Sequence, residues 1–361
     1  MYQAPRGTQD ILPEDQPYWR FVEATAAAVA ALYGYRRLDT PVFEDTALFS
    51  RSAGEYTDIV QKEMYTFDDR GGNSLTLKPE GTPAACRAYL QHGMQNLPQP
   101  VRLYYLSPIF RYDRPQAGRY RQHHQFGCEA IGDQDPALDA ELIELAWRFY
   151  GSLGLKNTTF NINSIGCPRC RPVFLKALTD HYAGYAGAIC EDCTVRLVNN
   201  PLRLLDCKKP GCQPAADSAP NNIDYLCDEC QEHFEAVQRY LNLLGIPFVI
   251  NERLVRGLDY YTKTVFEIQP EEEASQSSLG GGGRYDGLIE ELGGRHTPAV
   301  GFAAGIERII LNLKKQGITV PAEENPQVFI ACMGEAARDV AVKLASDLRQ
   351  AGVRVIMAVG S

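Results

Sequence analysis

The chain carries two unusual segments close together: Arg-Gly-Leu-Asp-Tyr-Tyr-Thr at residues 256–262 and Gly-Gly-Gly-Arg-Tyr-Asp-Gly at residues 281–287. They combine permanent cations, carboxylates, phenols and a flexible glycine run. A guanidinium group forms bidentate hydrogen bonds with carboxylates and phosphates, and tyrosine combines an apolar ring with one hydrogen-bonding hydroxyl. This mixture suits a small polar ligand. An isolated segment of this kind is more typical of an Arg–Asp surface pair beside a glycine-rich hairpin, so the interpretation depends on the rest of the chain.

The length and composition indicate a globular protein of several domains. With 361 residues the chain exceeds the usual limit of one hydrophobic core, and 45% hydrophobic with 22% charged residues is ordinary for soluble proteins. No apolar run approaches a membrane-spanning length and the N-terminus lacks a hydrophobic signal segment, so we expect a cytoplasmic protein. The net charge of −9 argues against a protein that coats nucleic acid nonspecifically, but it does not exclude local surface patches that bind RNA.

Hydrophobic periodicity predicts a mixture of helices and strands. The predicted helices cover residues 15–33, 137–153, 230–244, 303–316 and 336–351, and the predicted strands cover residues 35–38, 63–67, 74–78, 102–110, 160–163, 248–250, 264–269, 328–331 and 353–358. The first strand runs into Pro41, which suits an exposed edge or an interface because proline cannot donate to a ladder. The last three elements form a single βαβ unit, which cannot cover both faces of a parallel sheet, so we expect a shortened C-terminal domain.

A charged stretch beside an aromatic strand supplies candidate phosphate-binding residues. Arg111 and Arg119 lie in it, and their planar guanidinium groups can stabilise distributed negative charge. A loop of solvated surface arginines is the alternative. Farther along, Gln125, Gly127 and Glu129 alternate on one predicted strand, so they share a face. A face with these polar residues between apolar neighbours is more typical of a pocket than of a core.

Two further segments carry weaker signals. Glu80 and Thr82 follow a strand at a tight turn, which is most often turn chemistry alone, although together with Gln125 they could bind an ammonium group. Residues 301–308 predict a strand that feeds a helix, and Arg308 stands near the helix start, where a cation is unfavourable to the helix dipole. This small cost hints at a partner such as phosphate, but surface arginines are common at such positions.

The order of these segments resembles that of the histidyl-tRNA synthetase family, one of the class II aminoacyl-tRNA synthetases. The helix and strand that end at Pro41 look like the dimer-forming first motif, residues 110–129 like the second motif, and residues 301–308 like the third. The segments at 256–262 and 282–287 look like the two histidine signatures. The resemblance implies an α+β fold, in which a mostly antiparallel sheet is flanked by helices.

The resemblance also implies how the chain is divided. The expected parts are a first catalytic segment at 1–165, a Cys-rich insertion domain at 166–247, a second catalytic segment at 248–322 and a partial α/β anticodon-binding domain at 323–361. Because the last part stops after one βαβ unit, we expect a C-terminally truncated anticodon-binding domain.

Members of this family activate L-histidine with ATP and transfer it to tRNA-His, so the resemblance implies an aminoacyl-tRNA ligase, a homodimer, and the use of ATP with Mg²⁺. For ATP it implies Arg111 at the α-phosphate, Arg119 at the outer phosphates, and Arg308 and His123 against adenine. His123 stands where phenylalanine is expected, and an imidazole can still stack. For histidine it implies Arg256 at the carboxylate, Glu80, Thr82 and Gln125 at the ammonium group, Glu129 and Tyr261 at the imidazole, and Asp259, Tyr260 and Tyr285 as walls.

Eight of the eleven cysteines form pairs within residues 167–230. The pairs are Cys167 with Cys170, Cys190 with Cys193, Cys207 with Cys212, and Cys227 with Cys230. Three of them have C-x₂-C spacing, which is typical of structural zinc sites with four thiolates per ion, so the pairs predict two sites. The sequence leaves open which pairs combine, and reduced, partly buried thiols are the alternative. Family analogy implies contact with the tRNA acceptor arm through Arg169, Arg171, Arg196, Arg203, Lys208 and Lys209.

Two other functions fit parts of the sequence. The synthetase-like regulatory subunit of ATP phosphoribosyltransferase binds histidine without being a synthetase, and it lacks an anticodon-binding domain. Such paralogues tend to lose the catalytic arginines, whereas Arg111, Arg256 and Arg308 are all present here. A zinc-dependent RNA-binding module would require the catalytic motifs to be relics. The retained arginines therefore favour the enzyme.

Overall fold

The computed structural model of the chain describes residues 2–54, 57–116, 118–270, 278–322 and 325–358. It divides into two compact units, Met1–Thr319 and Val320–Ser361. All candidate site residues lie in the first unit. Among the helices of the described residues, none is both long and apolar enough to cross a membrane.

The described residues form thirteen strands and eleven α-helices. The strands are β1 (Arg36–Arg37), β2 (Phe43–Asp45), β3 (Tyr65–Asp68), β4 (Ser74–Leu77), β5 (Val101–Phe110), β6 (Gln122–Ile131), β7 (Thr158–Ser164), β8 (Val249–Ile250), β9 (Thr262–Pro270), β10 (Gly280–Arg284), β11 (Ala299–Gly305), β12 (Val328–Ile330) and β13 (Val355–Met357). The helices are α1 (Gln16–Leu32), α2 (Thr46–Ala53), α3 (Thr82–Gln91), α4 (Pro136–Ser152), α5 (Arg171–Ala183), α6 (Glu191–Asn199), α7 (Gln213–Asp217), α8 (Asp228–Leu243), α9 (Leu288–Glu291), α10 (Ile306–Lys315) and α11 (Glu335–Gln350).

An eight-stranded sheet forms the centre of the first unit, in the order β1-β5-β6-β11-β10-β9-β7-β8. Its six inner strands run antiparallel to one another, and the short edge strands β1 and β8 run parallel to β5 and β7. A smaller sheet has the order β2-β4-β3. This arrangement confirms the predicted α+β fold, and β1 occupies an edge as the proline after it suggested.

The main hydrophobic core packs the central sheet against α1, α4, α8 and α10. The amphipathic spacing of α1 decides which face it presents, because Trp19, Val22, Ala26 and Val29 recur every three or four residues and are all buried. The helix ends just before Gly34, whose φ of +76° is readily adopted only by glycine. The first predicted helix is therefore confirmed, with its stop signal.

The glycine run at 280–283 is a strand, so the expectation of a flexible run is wrong there. β10 pairs with β9 on one side and with β11 on the other, and both ladders hold it in place. Glycine is needed because the neighbouring backbones leave no room for side chains. A Cβ at Gly282 would lie 2.0 Å from the carbonyl oxygen of Gly301, and one at Gly283 would lie 2.5 Å from that of Thr264.

Several predicted element starts differ from the structure by a few residues, and two of them have a clear structural reason. The helix predicted from residue 303 begins at Ile306, because Ala303 and Ala304 still pair with β6 in the sheet. The strand predicted from residue 63 begins at Tyr65, because Glu63 closes a π-helical turn. In both places the local sequence fits either kind of element, and only the pairing with a neighbouring strand separates them.

Helix α3 was not predicted, because most of its residues are buried. Seven of its ten residues are buried, including its first residue, Thr82, and Tyr89 in its last turn. A helix that is buried on nearly all sides has no polar face, so its sequence lacks the 3.6-residue period by which helices are recognised.

The cysteine-rich stretch folds into short helices around a small core. Helices α5, α6 and α7 and several single turns pack around Phe174, Leu178, Tyr182 and Leu204. Between residues 206 and 222 the elements are a single 3₁₀ turn and the five-residue α7, which explains why hydrophobic periodicity fades there. We refer to residues 166–247 as the inserted module, and its boundaries stay a prediction.

A buried ion network joins the inserted module to the sheet. Arg284 of β10 is fully buried, and its Nε donates to the Asp139 carboxylate at 3.0 Å while its Nη1 donates to Asp286 at 3.2 Å. His233 of α8 lies 3.4 Å from the same Asp139 carboxylate. Burial alone would raise the pKa of Asp139, but Arg284 and His233 hold that pKa well below its usual range. Removing either partner of such a pair strands a buried charge and costs about 3–5 kcal/mol.

The second unit contains β12, α11 and β13. The two strands pair in parallel, and α11, which buries Ala341 and Ala345, connects them. This is the βαβ unit that the sequence predicts. Its assignment to an anticodon-binding domain stays a prediction.

Gly282→Ala should lower the free energy of unfolding by about 2–3 kcal/mol, because the new methyl group would force β10 and β11 apart. Chemical denaturation followed by circular dichroism measures this. Gly151→Ala is the matched control, since a Cβ at Gly151 of α4 meets open space and should stabilise the helix by up to about 1 kcal/mol. Equal stability of the Gly282→Ala protein and the wild type would contradict the steric argument.

Candidate active site

A cavity of about 520 Å³ lies against the central strands of the sheet. Its walls come from β5, β6, β9, β10 and β11, from the start of α3, from α10, from the loop before β9, and from Arg203 and Asp206 of the inserted module. The structure brings ten predicted site residues together here: Glu80, Thr82, Arg111, Arg119, His123, Gln125, Arg256, Tyr260, Tyr261 and Arg308. Two others are buried outside the lining: Glu129 lies beside Thr82, and Tyr285 lies beside Glu129.

Glu80 places a half-satisfied carboxyl group in the cavity wall. One oxygen, Oε2, accepts a hydrogen bond from the Tyr260 hydroxyl at 2.7 Å. The other, Oε1, is buried and has no partner among the described residues. Burial raises the pKa of Glu80 to about 7, against the opposing effects of Tyr260 and Arg111. A buried oxygen that has no hydrogen-bond donor can accept a hydrogen bond from a ligand.

Glu129 is fully buried and receives three hydroxyl donors. Thr82 donates to Oε1 at 2.7 Å, Tyr105 donates to the same oxygen at 3.1 Å, and Tyr285 donates to Oε2 at 2.5 Å. Burial raises the pKa of Glu129 to about 7, and the three hydroxyls oppose this rise. The carboxyl group is thus connected to the cavity through Thr82 and Tyr105, which do line it.

Tyr105 is a site residue that the sequence analysis missed. Its ring fills the space over Gly81 and Gly127, where a Cβ would lie 2.3 Å and 2.2 Å from the ring. Both glycines are therefore needed for Tyr105 to reach Glu129. The residue sits on a predicted strand, but only the pairing of β5 with β6 shows that it faces Glu129.

Arg111 and Arg256 supply two cations that protein acceptors hold in place. The Nε of Arg111 donates to the Pro79 carbonyl at 2.7 Å. The Nη1 of Arg256 donates to Glu267 at 2.6 Å, while its Nε is buried without a partner among the described residues. Glu267, on β9, was also missed by the sequence analysis. Fixing one edge of each guanidinium orients the group at little further entropic cost when a ligand arrives.

Arg308 is held across the cavity by two backbone carbonyls. Its Nε donates to Gly118 at 2.9 Å and its Nη1 donates to Ser278 at 2.6 Å. These acceptors offset the cost of a cation in the first turn of α10. Arg119 lies closer to the solvent and forms an ion pair with Asp113 at 3.3 Å.

His123 is a neutral ring at the cavity wall. Burial, together with the nearby cations of Arg111 and Arg308, lowers the pKa of His123 to about 3. At neutral pH the imidazole therefore adds no positive charge and can present an uncharged face to a ligand.

Asp259 lies outside the cavity, in contrast to the neighbouring tyrosines. Its Oδ1 accepts a hydrogen bond from Asn200 of the inserted module at 2.7 Å. The prediction that Asp259 forms a wall of the pocket is therefore wrong.

The eight paired cysteines form two groups, and the tertiary structure decides which pairs combine. Cys167 and Cys170 meet Cys227 and Cys230 in cluster A, and Cys190 and Cys193 meet Cys207 and Cys212 in cluster B. Cluster B is thus nested within the loop that cluster A closes. None of the eleven cysteines, all in the described residues, forms a disulfide.

The distances between the sulfur atoms fit a tetrahedral metal site. In cluster A the Sγ–Sγ distance is 3.8 Å both for Cys167 with Cys227 and for Cys170 with Cys230, and in cluster B it is 4.0 Å for Cys190 with Cys207. A tetrahedron with zinc–sulfur bonds of about 2.3 Å has edges of about 3.8 Å. Both donor sets therefore match zinc in number, chemistry and spacing.

Known proteins resemble this chain in sequence and structure. A profile of the family described as histidyl-tRNA synthetase matches residues 7–170 and 213–309. The histidine–tRNA ligase of Dehalococcoides mccartyi (strain 195) is 64% identical over 355 residues, which cover 98% of this chain and 85% of that protein. The crystal structure of the apo histidyl-tRNA synthetase of S. aureus is 41% identical, covers 100% of this chain and 86% of its own, and has a TM-score of 0.82.

A structure that bears on the alternative function comes from Bacillus halodurans and is described as an ATP phosphoribosyltransferase regulatory subunit/histidyl-tRNA synthetase. It has a TM-score of 0.67 and 23% identity, and it covers 99% of this chain and 92% of its own. At this identity the likeness shows a shared fold and nothing more.

Glu80→Gln should change how stability depends on pH. Burial raises the pKa of Glu80 from 4.5 to about 7, so the folded protein retains a proton that the unfolded chain releases between these values. The carboxyl group therefore lowers the free energy of unfolding progressively as the pH rises from 4.5 to about 7. The variant should match the wild type near pH 4.5 and be more stable above pH 7, by at most about 3 kcal/mol.

Urea unfolding at a series of pH values measures this difference. Glu232→Gln on the exposed face of α8 is the control and should leave the profile parallel to that of the wild type. If the Glu80→Gln profile were also parallel, the carboxyl group would not be desolvated as described.

Proposed function

The chain belongs to the histidyl-tRNA synthetase family, and from this premise we propose that it is a histidine–tRNA ligase. In this reaction L-histidine is activated by ATP, and the histidyl group is then passed to the terminal ribose of tRNA-His. The observation that carries the proposal is the convergence of Arg111, Arg256 and Arg308 on one cavity that also holds the Glu80 carboxyl. A site in which these cations lie beside a desolvated acid suits a ligand pair of triphosphate and amino acid.

Activation forms one bond and breaks another at the α-phosphate of ATP. A histidine carboxylate oxygen attacks the phosphorus, the new O–P bond forms, and the bond to the leaving pyrophosphate breaks. We assign Arg111 to the α-phosphate and Arg256 to the histidine carboxylate and the transition-state charge. The unpartnered Nε of Arg256 supports this role, because a buried donor without an acceptor gains most from a ligand oxygen.

ATP enters as its magnesium complex, which is the substrate of the reaction. We assign Arg119 to the outer phosphates, and Arg308 and His123 to the adenine. The neutral state of His123 supports stacking, since an uncharged ring can lie against a base while Arg308 supplies the delocalised cation.

The histidine side of the cavity is proposed to recognise both ends of the amino acid. Glu80 offers its free Oε1 to the ammonium group, with Thr82 and Gln125 nearby. We assign Glu129 and Tyr261 to the imidazole. The ring of Tyr260 contacts the rings of Tyr261 and Tyr285, and Tyr285 donates to Glu129. A site built to pair ring nitrogens rejects isosteres that lack them by roughly 10⁴–10⁵-fold.

We also propose that the enzyme works as a homodimer in the cytoplasm, where tRNA is charged. The edge position of β1 supports an interface near the first motif. So do the exposed rings of Phe43 and Phe67, which contact each other with centroids 6.3 Å apart.

The regulatory subunit of ATP phosphoribosyltransferase is the second candidate that the fold allows. A sensor of histidine needs the amino-acid side of the cavity but has no use for cations placed for a triphosphate. The retention of Arg111, Arg119 and Arg308 around the same cavity favours the enzyme.

We propose that clusters A and B each hold one structural zinc ion. The support is the tetrahedral spacing of four thiols in each cluster. The metal would cross-link the ends of short segments that bury little apolar surface of their own. Neither cluster lines the cavity, so the proposal gives zinc no part in the chemistry.

Arg256→Ala should reduce histidine-dependent ATP–pyrophosphate exchange by about 10²–10³-fold, because it removes a cation from the transition state. Glu267→Gln is the control, since it keeps the arginine and only weakens its anchor, and it should cost far less. Near-normal exchange by Arg256→Ala would show that its role is misassigned. No exchange by well-folded wild-type protein would favour the regulatory subunit.

Elemental analysis of the purified protein should find one zinc ion for each cluster. Cys230→Ser should lose the ion of cluster A and Cys193→Ser that of cluster B, and each should lower the thermal midpoint. Cys332→Ser, outside both clusters, should keep both ions. Metal-free protein with full stability would refute the zinc sites and leave the ligase proposal untouched.

A further inference from the structure

The loop that carries the histidine-binding residues lies outside the regular elements. Residues 255–261 form neither helix nor strand, and β9 begins only at Thr262. Yet this loop presents Arg256, Tyr260 and Tyr261 to the cavity. Because the backbone of this loop lacks the regular hydrogen bonds of a helix or strand, other contacts must fix its position for it to form a binding site.

Three side chains of the inserted module supply those contacts. Arg203 donates from Nη1 to the Gly257 carbonyl at 3.2 Å, and Asn200 donates to the Asp259 carboxylate at 2.7 Å. At the other end of the loop, Arg171 donates from Nη2 to the Tyr261 carbonyl. The loop is thus held at its start, its middle and its end.

Each of these donors is itself anchored. Arg171 directly follows Cys170 of cluster A, and its Nε donates to the Ile165 carbonyl at 3.3 Å. Arg203 forms an ion pair with Asp58 at 3.3 Å, and its side chain is only 14% exposed. Asn200 follows the last residue of α6, the helix that carries Cys193 of cluster B. The donors therefore stand on the segments that the two clusters tie down.

The end of the loop is fixed by cluster A in a second way. Lys263 has a φ of +49°, a left-handed conformation that is rare for a residue with a side chain, at a shift in the register between β9 and β10. Its backbone NH donates to the Gly166 carbonyl at 2.9 Å, and its Nζ donates to Glu229 at 2.9 Å. Gly166 and Glu229 are neighbours of the cluster A cysteines.

We propose that the inserted module is a clamp that sets the affinity for histidine, with Arg171, Asn200 and Arg203 as positioning residues. This inference rests on the proposed ligase function. The module holds the backbone of residues 257–261, and the backbone holds the two tyrosines and Arg256 against the cavity. A displacement of about 1 Å in such a loop can cost up to about 10²-fold in activity.

The clamp also changes the interpretation of two basic residues. By family analogy, Arg171 and Arg203 are expected to contact the tRNA acceptor arm together with four other basic residues. The structure turns both guanidinium groups toward the carbonyls of the loop instead. Arg169, by contrast, is mostly exposed and pairs with Glu229 at the surface.

Pyrophosphate exchange without tRNA tests the clamp, because any role in tRNA binding is then silent. Arg171→Ala and Arg203→Ala should each raise the KM for histidine about tenfold while the KM for ATP and kcat stay within about twofold. Arg171→Lys, which keeps one donor, should recover part of the affinity. Lys176→Ala is the matched control from the same module, since Lys176 is exposed on α5 and pairs with Asp180, and it should leave all three parameters unchanged.

Arg171 decides the test, because it lies outside the cavity lining and contacts the loop through the Tyr261 carbonyl. An unchanged KM for histidine in folded Arg171→Ala and Arg203→Ala would overturn the clamp, with the ligase proposal intact if wild-type exchange is normal. Equal rises in the KM for histidine and the KM for ATP would show that these residues have only a general structural role, and so would the absence of rescue by Arg171→Lys. Either result would also overturn the clamp. Absence of exchange in the wild type would instead refute the ligase proposal.

Discussion

The central sheet depends on strands that approach one another at positions without side chains, and the cavity depends on the same absences. A Cβ on Gly281 would lie 2.9 Å from Nη1 of Arg256, and one on Gly301 would lie 1.9 Å from Oε2 of Glu129. Each missing methyl group therefore makes room for a functional group as well as for a neighbouring strand. The cost is conformational entropy, since glycine loses more freedom on folding than any other residue. The two ladders on β10 help to offset it.

Desolvation gives the cavity its chemical character. Burial raises the pKa of both Glu80 and Glu129 to about 7, and it lowers that of His123 to about 3. The arginines stay charged, and backbone carbonyls or carboxylates hold them in place. The site thus combines fixed cations with acids that are easily neutralised, and its dipoles are oriented before any ligand arrives. Such preorganisation is how a protein stabilises a developing phosphate charge at little reorganisation cost.

The inserted module connects stability with function. It has little hydrophobic core, so the thiol clusters are its natural source of rigidity. Its donors reach the backbone of the histidine-binding loop, and its helix α8 joins the buried network of Asp139 and Arg284. Through these two routes the order of a peripheral module extends to the substrate cavity, although no cysteine of either cluster lines that cavity.

The sequence by itself determined the α+β class, most of the strands, five of the eleven α-helices of the described residues, and ten of the residues that line the cavity. It did so because hydrophobic period and motif order are properties of the chain read along its length. It missed α3, which has no polar face, and it missed Tyr105, whose role depends on the register between β5 and β6. Only the tertiary structure decided which cysteine pairs combine, that β10 is a strand, and that Arg171 points at a carbonyl rather than at solvent. Those facts depend on distances between residues far apart in the chain, and such distances are set by packing rather than by local sequence.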